Sequence, residues 1–107
     1  MSEKKHSDIL KARLKLLPDR MREKMLKKGN EKRLRVIEAY ASDTKLRAVL
    51  RWRQRLVARD ITVEELAYKV KRQVPRISEY MYFVREPSEQ AFLAIDAAIY
   101  QLEERPG

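Results

Sequence analysis

The chain reads as an all-α protein, a compact helical domain with a basic helical extension in front of it. Three observations predict this. Only two glycines and four prolines occur in 107 residues, so few positions interrupt a helix. The β-branched residues are scattered and do not alternate with polar ones, as a half-buried strand would require. Apolar residues instead recur three and four positions apart, in segments bracketed by capping residues and proline.

Taken in order, Met1 to Ser7 is polar and expected to lack order. From Asp8, the residues Ile9, Leu10, Leu14 and Leu17 form a stripe that Leu17-Pro18 interrupts, since proline disfavours helical geometry in the residue before it. A second basic helix from Pro18 or Asp19 to Lys28 places Met21, Met25 and Leu26 on one side. Gly29 supplies a left-handed stop and Asn30 an N-cap. The third segment, Glu31 to Ala41, aligns Leu34, Ile37 and Ala41. Ser42-Asp43-Thr44 then opens a longer helix ending near Arg59. Its inward residues are Leu46, Val49, Leu50, Leu56 and Val57, with Arg53 within the stripe and Trp52 as a packing residue at the flank. Lys45, Arg47, Arg51 and Arg55 lie on the other side.

The stretch from Asp60 to Glu86 organises the rest. Thr62-Val63-Glu64-Glu65 matches the capping box, in which hydroxyl and carboxylate satisfy each other's backbone amides. The helix from Val63 to about Lys71 buries Leu66, Ala67 and Val70, and the small Ala67 permits a close crossing. Pro75 fits the start of the following helix, where its missing donor is no loss. Ile77, Tyr80, Met81 and Val84 point inward, while Pro75, Glu79 and Tyr82 point outward with Arg76, Ser78 and Phe83 at the edges. After Arg85-Glu86-Pro87, Ser88 caps a last helix from Glu89 to Glu103, with Phe92, Ile95, Ile99 and Leu102 at heptad spacing.

Charge narrows the function. The net charge is +9, which favours a polyanionic partner. It is lopsided: residues 1–55 carry 18 Lys/Arg against 7 Asp/Glu, and residues 56–107 carry 7 against 9. The chain is expected to divide into a basic helical extension, 1–41, and a second unit, 42–107. The extension reads either as a layer whose basic face is simply solvated or as an arm that contacts phosphates or a second subunit. A membrane-surface helix fits less well, because its apolar faces carry no Trp or Phe anchor. Without cysteine there is no disulfide, thiolate zinc site or thiol nucleophile. His6, the one histidine, sits near the terminus and reads as incidental. No apolar run reaches the roughly 20 residues of a membrane span, and the start lacks a signal-peptide core, so a cytoplasmic setting in a bacterium, or in the host of a phage or plasmid, is expected. No glycine-rich phosphate loop occurs, and Glu64-Glu65 and Glu103-Glu104 read as helix-end charges; neither an enzyme nor a cofactor is expected.

The pattern Leu66-Ala67, Val70, Ile77 and Tyr80-Met81 resembles the helix-turn-helix of phage Cro/C1-type (Xre-like) repressors. So do the approach Arg59-Asp60-Ile61-Thr62 and the Glu86-Pro87-Ser88 lead into an alanine-rich helix; the likeness covers about residues 46–102. Two positions depart from it. Lys71 stands where the family carries glycine, and Arg72 where it carries an apolar residue, so Val74 is expected to supply the missing contact through a re-routed turn. The resemblance implies a sequence-specific regulator, a repressor, binding double-stranded DNA as a homodimer on a near-palindromic site. By position, Gln73, Ser78, Glu79 and Tyr82 would face the bases with Val74 and Pro75 close by. Thr62, Lys69, Lys71, Arg72 and Arg76 would meet phosphates, joined by Lys45, Arg47, Arg51 and Arg55. The rival readings are a protein-interaction module, such as an antitoxin or a phage packaging adaptor, and an RNA-binding protein.

Overall fold

The computed structural model describes residues 7–105; His6 and most of the expected polar tail lie outside them. Seven helices follow one another: α1 (Asp8–Leu14), α2 (Asp19–Leu26), α3 (Glu31–Ala39), α4 (Asp43–Ala58), α5 (Val63–Val70), α6 (Val74–Met81) and α7 (Glu89–Glu103). The described residues contain no strand. Helix starts follow their caps. The hydroxyls of Ser7, Ser42, Thr62 and Ser88 each accept the backbone N–H three residues on, which satisfies one of the donors every helix start leaves free.

The long α4 is the spine. It packs against α6 on one side and α7 on the other, and α5 closes the group against α6 and α7. Leu46, Val49, Leu56, Leu66, Ile77, Ile95 and Ile99 meet at the centre. Trp52 is fully buried and not a flank residue. Its ring stacks on Phe92 with centroids 5.5 Å apart, and its Nε1 donates to Asp96 Oδ1 at 3.0 Å. α3 packs on α1 and α2, and Leu10, Leu14, Leu17, Met25 and Ile37 join the same continuous core.

The junction between the N-terminal helices and α4 is polar. Arg13 is buried beneath the α3–α4 corner. Its Nη1 donates to the carbonyls of Ile37, Glu38 and Tyr40 at 2.7–2.9 Å, and its Nε meets Asp43 at 2.8 Å. One guanidinium thus satisfies carbonyls that the end of α3 leaves without helical partners. On the other side of that corner, Lys45 is also buried; its Nζ donates to the Pro87 carbonyl at 2.6 Å and pairs with Glu86 at 3.0 Å. Glu86 also accepts the N–H of Ala41 at 2.9 Å. Beside it Tyr40 packs edge-on against Phe83. Its hydroxyl has no hydrogen-bond partner among the described residues, and burial, with Glu86 nearby, pushes the phenol above its ordinary range.

Several side chains depart from the periodic reading. Val57 is 81% exposed although Leu56, one residue before it, is buried in the core. α6 stops at Met81; Phe83 takes φ 62 and turns into the core, which leaves Val84 outside. Ile9 and Leu26 are exposed, and α3 ends at Ala39, before Ala41. Gly29 has φ 97 as expected of a stop. Asn30, however, makes no N-cap bond; its Nδ2 donates backwards to the carbonyls of Lys24 and Lys27 and so caps the end of α2.

Because Arg13 serves three carbonyls and a carboxylate, Arg13→Ala is expected to destabilise the fold by about 3 kcal/mol. Urea unfolding checks this, and Arg13→Lys should recover only part of the loss because an ammonium lacks the fork.

Candidate nucleic-acid interface

The α5–α6 pair begins at a complete capping box. Thr62 Oγ1 accepts the N–H of Glu65 at 3.0 Å, and Glu65 accepts the N–H of Thr62 at 2.9 Å. Arg105, beyond the end of α7, reaches back to the same carboxylate. That hydrogen bond, followed by the one from the Thr62 backbone, lowers the Glu65 pKa to about 2.

The turn closes without re-routing. Lys71 adopts φ 59, ψ 44 in the left-handed region. Its N–H donates to Tyr68 O at 3.2 Å and that of Arg72 to Ala67 O at 3.0 Å, the paired bonds of a Schellman end. Lysine therefore occupies a conformation that glycine adopts more cheaply. Asp60 and Phe83 end α4 and α6 in the same left-handed way. Gln73 precedes α6 and makes no side-chain cap, so its amide is free to engage a partner. Pro75 is the second residue of the helix, not the first; Val74 opens it and is half-buried against the core, turned away from the outward side.

The outward side of α6 brings together Pro75, Ser78, Glu79 and Tyr82, with Gln73 at its head. Glu79 carries two arginines, Arg76 at 3.4 Å and Arg85 at 3.2 Å, so the negative charge there is neutralised within the protein. Arg53 of α4 lies over the Tyr82 ring, 4.7 Å from its centroid. Lys69, Lys71 and Arg72 surround the turn, exposed and without an ion pair among the described residues.

No known protein family, characterised protein or solved structure matches the chain. The functional reading therefore rests on this geometry and on the charges.

Other expected phosphate contacts lie elsewhere. Lys45 is consumed by Glu86 and the Pro87 carbonyl. Arg55 is held by Glu103 through two 2.9 Å bonds and by Asp96 at 3.1 Å. Both are structural, tying α4 to α7 and to its lead. The Thr62 hydroxyl is committed to the cap. Arg47 and Arg51 are exposed but line a crease beside the α1–α2 connection, not the α6 side. Arg53 and Arg85 were not singled out as site residues from the sequence. A cation in a mostly apolar stripe, four residues from Val57, was the one signal for Arg53. Tyr68, on the outer side of α5 beside Lys69, is 88% exposed and had no signal beyond its type.

Two outcomes follow for the helix pair. Replacing Lys71 with glycine relieves the left-handed strain, so Lys71→Gly should raise the unfolding free energy by about 1 kcal/mol; a loss of stability would contradict the turn geometry. Glu65 has a lower pKa folded than unfolded, so its contribution is complete above its ordinary 4.5 and drains away as pH falls towards 2. Carboxyl NMR should place its midpoint near 2, and Arg105→Ala should move that midpoint upward.

Proposed function

We propose that the chain is a sequence-specific double-stranded-DNA-binding transcriptional regulator, a repressor, that presents α6 to the major groove. It acts in the cytoplasm of a bacterium, or of the host of a phage or plasmid. The observation that carries this reading is the outward side of α6. Gln73 and Ser78 are presented there beside Tyr82, whose ring Arg53 covers; the one acid is matched by Arg76 and Arg85, and Lys69, Lys71 and Arg72, without an ion pair among the described residues, flank it. Side chains of this kind suit base edges, and cations at the rim suit the backbone. Gln73 is suited to a bidentate bond with adenine. Glu79, held by its arginines, orients them and accepts from cytosine when one is in reach.

A dimer suits the reading, because two copies of α6 about 34 Å apart would meet successive major grooves on one side of a near-palindrome. The outer side of α7 offers a seam. Leu93 and Tyr100 are 56% and 61% exposed, with exposed Ala97 between them, and residues 86–104 contain no Lys or Arg. The same stripe favours the second reading, a protein-interaction module in which α7 docks a different protein.

Selection from a random duplex pool tests both. A palindromic consensus is expected, with binding that falls on the order of 10³-fold between 50 and 200 mM salt for a dimer touching six or more phosphates. Gln73→Ala and Tyr82→Ala should relax sequence preference by about 1–3 kcal/mol at single positions, whereas Arg72→Gln should weaken all sequences alike. Sequence-blind binding would defeat the regulator and leave the docking module.

A further inference from the structure

Arg47 and Arg51 stand one turn apart on the outer side of α4, four residues from one another. Neither has an ion pair among the described residues. The acids nearest in sequence to the segments around them are already engaged, Asp43 by Arg13 and Asp19 by Arg22. Two like charges at this spacing repel one another, and among the described residues no acid pairs with either.

They also border a cavity. A crease of about 260 Å³ runs between α4 and the α1–α2 connection, lined by Leu16, Pro18, Arg47, Leu50, Arg51 and Gln54. Its far wall is held in place. Leu17 is buried in the core, the N–H groups of Leu16 and Leu17 bond back to Arg13 and Leu14, and Arg22 donates to the carbonyls of Leu14 and Leu17. The crease is thus an open groove of mixed lining, with Leu16, Pro18 and Leu50 as its apolar part, one amide, and two guanidinium groups without an ion pair among the described residues. Such a combination of apolar surface and a few polar groups is what small-ligand sites offer.

We propose that this crease binds a small phosphomonoester with a flat apolar body, of the mononucleotide class. Two guanidinium groups match a phosphate dianion in charge, and each fork can take two of its oxygens. Leu16, Pro18 and Leu50 cover the apolar body, and Gln54 takes a polar edge. A duplex backbone fits less well: each phosphodiester carries a single charge and has no apolar group to fill the crease. Arg53, the α4 cation that meets α6, also lies on a different side of the helix from Arg47 and Arg51.

Calorimetric titration of the full chain with adenosine monophosphate, inorganic phosphate and uncharged adenosine tests the site. The nucleotide should saturate at least tenfold more tightly than inorganic phosphate, and adenosine should show no binding. Arg47→Gln and Arg51→Gln should each weaken the nucleotide tenfold or more without lowering the thermal unfolding temperature, since both side chains are exposed and each change removes a like-charge repulsion. Pro18→Glu should do the same by placing an acid at the rim, while Arg20→Gln, outside the crease, should have no effect. The proposal is overturned if none of the probes saturates, if phosphate binds as tightly as the nucleotide, or if Arg20→Gln weakens binding as much as the crease variants. It is equally overturned if Arg47→Gln and Arg51→Gln weaken duplex DNA but leave the nucleotide untouched.

Discussion

A buried ammonium sets the terms for this fold. Lys45 cannot sit inside the protein unpaired without a penalty of several kcal/mol, so Glu86 and the Pro87 carbonyl must come to it. That requirement draws the lead into α7 against the first turn of α4. Glu86 reaches past Lys45 to the N–H of Ala41, and Phe83 meets Tyr40 alongside. The end of α3, the start of α4 and the α6–α7 connection therefore converge on one carboxylate. With that corner set, Trp52 meets Asp96 and Phe92, and Arg55 meets Glu103, further along the same pair of helices. The packing of α4 on α7 is thus fixed at one end by Lys45 held in the lead to α7 and at the other by Arg55 held by Asp96 and Glu103 of α7 itself.

How much of this was legible depends on distance along the chain. Helix order, the capping box and the full extent of α7 follow from signals within four residues, and the structure has each of them. Ala67 is buried midway along α5, as its size implied. Periodicity could not separate Lys45 and Arg55 from Arg47 and Arg51. What distinguishes them is an acid 41 to 48 residues away, and no local pattern carries that information. Phe83 leaves its periodic edge position for the core because its own left-handed backbone breaks the helical count. Asn30 was read forwards as a cap because its type suits either end, and only the position of the Lys24 and Lys27 carbonyls decides between them. The outward residues of α6 were legible from spacing, but the arginines that neutralise Glu79 belong partly to the loop beyond it.

Pairing, more than composition, determines which charges a partner can meet. Among the described residues, α4 to α7 spend Lys45, Arg55, Arg76, Arg85 and Arg105 on their own acids. What is left for a polyanion on this part of the chain clusters at the α5–α6 turn and along α4. Of the acids on this part of the chain outside those pairs, Glu64 lies on α5 and Glu89 at the start of α7, while Asp60 and Glu104 lie just beyond the ends of α4 and α7. The excess of cations before residue 56 and the acid-only stretch 86–104 occupy opposite ends of the sequence and different helices of the fold.

That separation gives the molecule an electric moment in addition to a net charge. In the field of a highly charged polymer the protein experiences a torque before it experiences contact, at separations up to about 8–10 Å in physiological salt. The cation-rich segments are drawn towards such a polymer more strongly than the stretch 86–104, which carries no Lys or Arg. Approach to such a polymer is thus biased in orientation before any contact forms.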